Sequence, residues 1–256
     1  MKKKDIKMSK IVAAVKMVIA FFTLFAQIVA PLTGSFGVET FYEDWSPEQA
    51  YTEDYAVELE KEPGKDFVVL NLADIQMDDM EYYEGFGEEA EAMITKLVEE
   101  QQPDLITLSG DNAWATLAYI NLVNFSDSFD IPWAPVMGNH DGQGCISEFW
   151  CAYLFDDAEN CLWKFGPADM GHGNYIINIT ENGKIIHSLF MMDTHNNGVF
   201  TDEDGSTVEG YDHLWDNQIE WYKWAVNGTT AEAIPDLMMK NSEIDEKGIP
   251  EGYFED

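Results

Sequence analysis

Carboxylate, amide and imidazole side chains are concentrated in three short segments of this chain: Asp74-Ile75-Gln76, Gly110-Asp111-Asn112 and Gly138-Asn139-His140-Asp141. Oxygen donors of this kind hold hard divalent cations, and an imidazole beside them can move a proton. Each segment closely follows a run that reads as a buried strand. All three would then end on one rim of a parallel sheet, where open α/β folds place their ligands. That is the layout of a metal-dependent hydrolase. Taken singly the segments are weaker, because Asp74 or Asp111 alone could cap the helix that follows its strand.

The elements that must position these residues are legible in the apolar pattern. Phe67-Val68-Val69-Leu70-Asn71-Leu72 is a short β-branched run, and Glu88 to Glu100 carries helical spacing through Ala92, Met93, Ile94, Leu97 and Val98. Pro103 starts the return, Leu105-Ile106-Thr107-Leu108 reads as the second strand, and Trp133-Ala134-Pro135-Val136-Met137 as the third. Strands alternating with helices predict a parallel α/β sheet. Further on, the runs Asn174 to Ile179 and Ile185 to Met192 flank Thr180-Glu181-Asn182-Gly183, whose Asn-Gly pair marks a hairpin. A second, antiparallel layer is expected there. The stretch 36–65 is rich in Glu, Asp, Tyr and Pro and reads as an acidic linker.

In their order, the three segments resemble the Asp-x-His, Gly-Asp-x and Gly-Asn-His-Asp/Glu blocks of the calcineurin-like metallophosphoesterase superfamily. The likeness runs from about Phe67 to Val226. Within it, Gly173-Asn174-Tyr175, Met192-Asp193-Thr194 and Gln218 with Trp221 look like the purple-acid-phosphatase-like branch. The resemblance implies an α/β fold, a metallophosphoesterase-type layered sandwich with mixed β-sheets flanked by helices. It also implies a pair of metal ions that neutralise phosphoryl oxygens and align a metal-bound hydroxide for attack on phosphorus. Asp111 would bridge the ions, Asp74 and position 76 would complete one site, and Asn139 would serve the other through its amide oxygen. His140 would protonate the departing oxygen and Asp141 would orient the imidazole. The implied reaction is hydrolysis of a phosphomonoester or phosphodiester, borne by a phosphorylated small molecule or a surface substrate.

Two departures stand beside the match. Gln76 occupies a position where the family usually has histidine, and an amide oxygen there weakens zinc and favours harder ions such as manganese, magnesium or calcium. Manganese or magnesium is expected, with iron or zinc as alternatives. A glutamine at this position also resembles the manganese-dependent ADP-ribose pyrophosphatase branch. More gravely, the histidine on the family's next strand and its closing Gly-His-x-His have no counterpart, since no histidine follows His213. The sequence is therefore expected to represent a C-terminally truncated domain with a weakened metal set. The competing reading is a non-catalytic acidic surface protein that keeps the fold and a weak metal site. Of the other histidines, His195 could approach the metal rim from a strand end, His172 reads as a loop residue, and His187 and His213 as structural or solvated.

Charge narrows the setting. The formal net charge is −34, there is no arginine, and from Pro31 onward eight lysines face 47 carboxylates. A nucleic-acid groove is excluded on those grounds, and no arginine fork can hold a phosphate. Lys2, Lys3, Lys4, Lys7 and Lys10 precede an apolar run, clearest from Met17 to Ala30, which reads as an export signal or a single membrane anchor. The expected division is a signal or anchor over 1–30, an acidic linker over 31–65 and a metallophosphoesterase domain over 66–256. The protein would be extracytoplasmic, secreted or anchored, and would touch a membrane only through that first segment. Cys145, Cys151 and Cys161 permit one local disulfide or three idle thiols. Gly85 to Ala90 spells a dinucleotide pattern but follows an acidic loop, and reads as a helix start. No Gly-x-Ser-x-Gly elbow supports a serine hydrolase.

Overall fold

In chain order the elements are β1 (Ala56–Glu60), β2 (Val69–Leu72), α1 (Phe86–Gln101), β3 (Leu105–Ser109), α2 (Thr116–Asp127), β4 (Trp133–Val136), α3 (Glu148–Asp156), β5 (Tyr175–Glu181), β6 (Lys184–Met191), β7 (Asn197–Thr201), β8 (Thr207–Tyr211) and α4 (Asp216–Ala233). The computed structural model describes residues 41–78, 86–143, 147–201 and 204–233. The proposed signal or anchor over 1–30, Cys145 and residues 234–256 lie outside the described residues. Among the described residues no helix is long and apolar enough to cross a membrane. Cys151 and Cys161 are free thiols.

β2, β3 and β4 form an all-parallel sheet with β3 in the middle. β3 is buried from Leu105 to Leu108, as a central parallel strand covered on both faces must be, and its one polar member, Thr107, donates to Asn71 Oδ1 at 2.9 Å. α1 and α2 return the chain between these strands as the alternating pattern predicted. The second sheet is mixed, in the order β1-β5-β6, with β1 parallel and β6 antiparallel to β5. The β5–β6 turn has positive φ at both Asn182 (55°) and Gly183 (69°), the conformation an Asn-Gly hairpin turn requires.

The stretch read as an acidic linker is corrected in part. Residues Ala56–Glu60 form β1 and pair in register with Ile176 to Thr180 of β5. Glu58 and Glu60 face solvent while Val57 and Leu59 pack against the core. The outward carboxylates gave this strand its linker-like composition.

β5 divides the apolar interior. Its Tyr175 and Ile177 join the main core with Ile94 and Val98 of α1, Tyr119 and Leu122 of α2, and Phe155 of α3. Ile176, pointing the other way, packs with Trp221 and Ala225 of α4. Trp133 opens β4 fully buried, donates from Nε1 to Asp127 Oδ1 at 2.7 Å and meets Phe155 edge-on at 5.8 Å. Truncating it should cost about 3–5 kcal/mol. Urea unfolding of Trp133→Ala checks this, and a loss well below that range would show that β4 is not anchored by this ring.

Candidate metal centre

The pairing of β2 with β3 continues past the strand ends. Asp74 N donates to Gly110 O at 3.2 Å, Gln76 N to Asp111 O at 2.9 Å, and Met77 N to Asn112 O at 3.0 Å. The first two acidic segments therefore lie side by side. The third arrives from β4, whose Val136 is in register with Ser109. The approach is so close that a Cβ on Gly138 would lie 2.3 Å from both the backbone nitrogen and Oδ1 of Asp111, so no other residue fits there. Asp74, Gln76 and Asp111 all have left-handed backbone, with φ of 52°, 46° and 52°. Such conformations are costly without glycine and gather at functional sites.

Asp141 ties the second and third segments together. Its carboxylate accepts from Asn112 N (2.8 Å), Ala113 N (3.3 Å), Asn112 Nδ2 (2.9 Å), Gly138 N (2.7 Å) and the Tyr119 hydroxyl. Burial pushes its pKa up, and these donors oppose the shift. The expectation that Asp141 orients the His140 imidazole is thereby corrected, because its oxygens are taken up by backbone amides and Tyr119. The ring is held by others: Nδ1 pairs with Gln143 Oε1 at 2.9 Å, Trp114 packs on it at 4.4 Å, and Nε2 lies 3.9 Å from Asp111 Oδ2. Asp111 does not cap the following helix, whose N-cap position is Ala115.

Gln76 departs from its expected part. Its Nε2 faces Asp111 Oδ2 at 3.4 Å and its Oε1 accepts from Trp114 Nε1 at 3.3 Å, so its oxygen is already engaged. The indole takes one of that oxygen's two acceptor positions.

Asp74, Asp111 and Asn139 line one cleft of about 400 Å³, together with Thr194, His195, Asn196, Tyr211 and Asp212. Among the described residues no group of three or more His, Cys, Asp or Glu side chains is placed to hold a metal ion. Of the donors expected from the sequence, two carboxylates and an amide line this cleft. This oxygen-only set fits one hard divalent ion. A larger hollow of about 610 Å³ between Tyr51 and Trp224 contains none of these donors.

His195 does reach the cleft, but its nitrogens are turned elsewhere. Nε2 pairs with Gln218 Oε1 at 2.8 Å, Nδ1 lies 3.8 Å from Asp193 Oδ2, and the ring stacks on Trp215 at 3.8 Å. His172 pairs through Nδ1 with the Tyr42 hydroxyl at 2.8 Å, and burial lowers its pKa while raising that of Tyr42 to about 12. His187 is exposed on β6, and His213 pairs with Asp212 at 3.1 Å. Sequence reasoning assigned no part to Gln143, Trp114, Asn112 or Asp212. Only Asn112 had a local signal, its place directly after Gly110-Asp111.

A sequence model described as calcineurin-like phosphoesterase matches residues 41–245. The chain belongs to that family. Calcineurin-like phosphoesterases use divalent metals. Phosphatase DCR2 of Saccharomyces cerevisiae is 25% identical over 187 residues, which are 63% of this chain and 31% of that protein. An Arabidopsis thaliana protein named "Probable inactive purple acid phosphatase 14" is 25% identical over 186 residues, 58% of this chain and 45% of the relative. This calcineurin-like phosphoesterase chain thus spans less than half the length of either curated relative.

The Asp141 geometry makes a prediction that separates a clamp from an imidazole partner. Asp141→Leu leaves buried donors without an acceptor, each costing about 1–3 kcal/mol, and should lower stability by more than about 3 kcal/mol. Asp141→Asn keeps one acceptor oxygen and should cost less. Denaturant unfolding of both variants decides it. Full stability with selectively lost turnover would return Asp141 to the role of imidazole partner.

Proposed function

We propose that this chain hydrolyses phosphoesters with the help of a divalent ion, manganese or magnesium, held by Asp74, Asp111 and Asn139. The observation that supports this best is the convergence of those three residues in one cleft beyond parallel strand ends, with Asp74 and Asp111 in left-handed backbone. When bound, such an ion would offset phosphoryl charge and acidify a water molecule. His140 acts as the general acid. Its Nδ1 is occupied by Gln143, which leaves Nε2, on the Asp111 side, as the atom that delivers a proton to the leaving oxygen. Trp114 holds the ring in place and excludes water from one face.

The substrate is a phosphorylated small molecule or a phosphorylated group on a surface. The lysine-rich start and the apolar run that follows it support an extracytoplasmic protein, secreted or anchored. A second reading, a non-catalytic acidic protein that binds one ion, is favoured by a single fact: the described residues hold no three-membered His, Cys, Asp or Glu group.

Two outcomes distinguish these readings. In the hydrolase, Asp111→Asn removes both manganese binding and turnover. His140→Ala spares the metal but slows alkyl phosphates, which need the proton, by about 10²–10⁴-fold, and slows nitrophenyl phosphates much less. Equal losses on both substrate types would argue against a general acid. For the metal, Gln76→His should move preference from manganese toward zinc, measured as the ratio of affinities by calorimetry. An unchanged ratio would show that a side chain at position 76 does not reach the ion even as an imidazole.

A further inference from the structure

The charge of the cleft bears on which phosphoester it takes, and this inference rests on the hydrolase reading above. Asp74, Asp111 and Asp212 line the cleft, and among the described residues no lysine does. Asp212 remains an anion at neutral pH: the backbone N–H of His213 holds its carboxyl below the usual range, helped by Trp215 Nε1 at 3.2 Å. His195 is the one imidazole in the lining and is turned to Gln218 and Asp193, while His140 beside Asp111 and His213 beside Asp212 at 3.1 Å lie outside it. Each extra negative charge on a bound phosphoester is therefore opposed by the protein itself.

A phosphomonoester above pH 7 is mostly a dianion, because its second ionisation lies near pH 6. A phosphodiester carries one charge and replaces the other oxyanion with an uncharged ester group. Met192 and Tyr211, the latter 76% exposed at the end of β8, give the cleft an apolar lining against which such a group could rest. We infer that the cleft takes monoanionic phosphodiesters in preference to dianionic phosphomonoesters. In the reaction water adds to phosphorus, one P–O ester bond breaks, and a proton passes to the departing alkoxide, leaving an alcohol and a phosphomonoester. That product is itself dianionic, so the carboxylates that disfavour a monoester substrate also hasten its release.

The full chain with excess manganese at pH 8 is compared on bis(4-nitrophenyl) phosphate and 4-nitrophenyl phosphate. Equilibrium binding of dimethyl phosphate and methyl phosphate is measured alongside by calorimetry. The diester should be favoured about tenfold in kcat/KM and should bind more tightly. Asp212→Asn should narrow the ratio about threefold or more by helping the monoester most. Thr194→Lys, which adds a cation at an exposed position of the same lining, should narrow it likewise should Asp212→Asn fail to fold. Preference for the monoester, or a ratio unmoved by both variants, would overturn the inference while leaving phosphoester hydrolysis standing. Neither hydrolysis nor binding of either ester would overturn both.

Discussion

One buried carboxylate holds the candidate centre together. Asp141 is fully buried and accepts hydrogen bonds from the turn after β3, the turn after β4 and Tyr119 of α2. Two loops that carry chemistry but little apolar surface are thereby joined through a group that cannot be moved without orphaning several donors. Burying a charge is costly, and the network of N–H donors offsets that cost only in this arrangement. Asp111 benefits directly. The backbone N–H of His140 reaches its Oδ1 at 2.9 Å, which leaves Oδ2 facing Gln76 and the His140 ring.

The same constraint explains the glycines. A Cβ on Gly110 would meet the Cα of Gly138 at 2.9 Å, so the two turns pass each other in backbone contact. Gly110 also has φ of 96°, and Asp111, next to it, is left-handed without being glycine. Strain of this kind persists only where the surroundings over-determine it. Here the surroundings are the continued β2–β3 ladder on one side and the Asp141 clamp on the other. A rigid scaffold thus presents a carboxylate edge at the mouth of the cleft, which is what ion binding demands of a site built on strand ends.

Much of this was legible in the sequence. β3 is apolar at Leu105, Ile106 and Leu108 with a β-branched Thr107 between, and Asn182-Gly183 names its own turn, so both are determined by local chemistry. β1 was hidden because its two outward glutamates imitate a linker, and only the parallel partner β5 reveals its pattern. The role of Asp141 was hidden for a different reason. Its partners Asn112 and Ala113 lie 29 and 28 positions away and act mainly through backbone N–H groups, which leave no trace in side-chain type. Gln76 read as a ligand from its place in the first segment, and its contact with Trp114, 38 positions away, had no signal in that segment.

What the geometry leaves exposed is a cleft rich in oxygen donors and short of cations, in a family that uses divalent metals. Such a cleft is incomplete as a recognition site for an anion until positive charge enters it. The proposed centre at Asp74, Asp111 and Asn139 carries the functional reading, and a manganese-soaked crystal tests it most directly. Anomalous diffraction at the manganese edge should show one ion per chain, in contact with the carboxylates of Asp74 and Asp111 and the amide oxygen of Asn139. An empty cleft at saturating manganese, or an ion held by other residues, would contradict it.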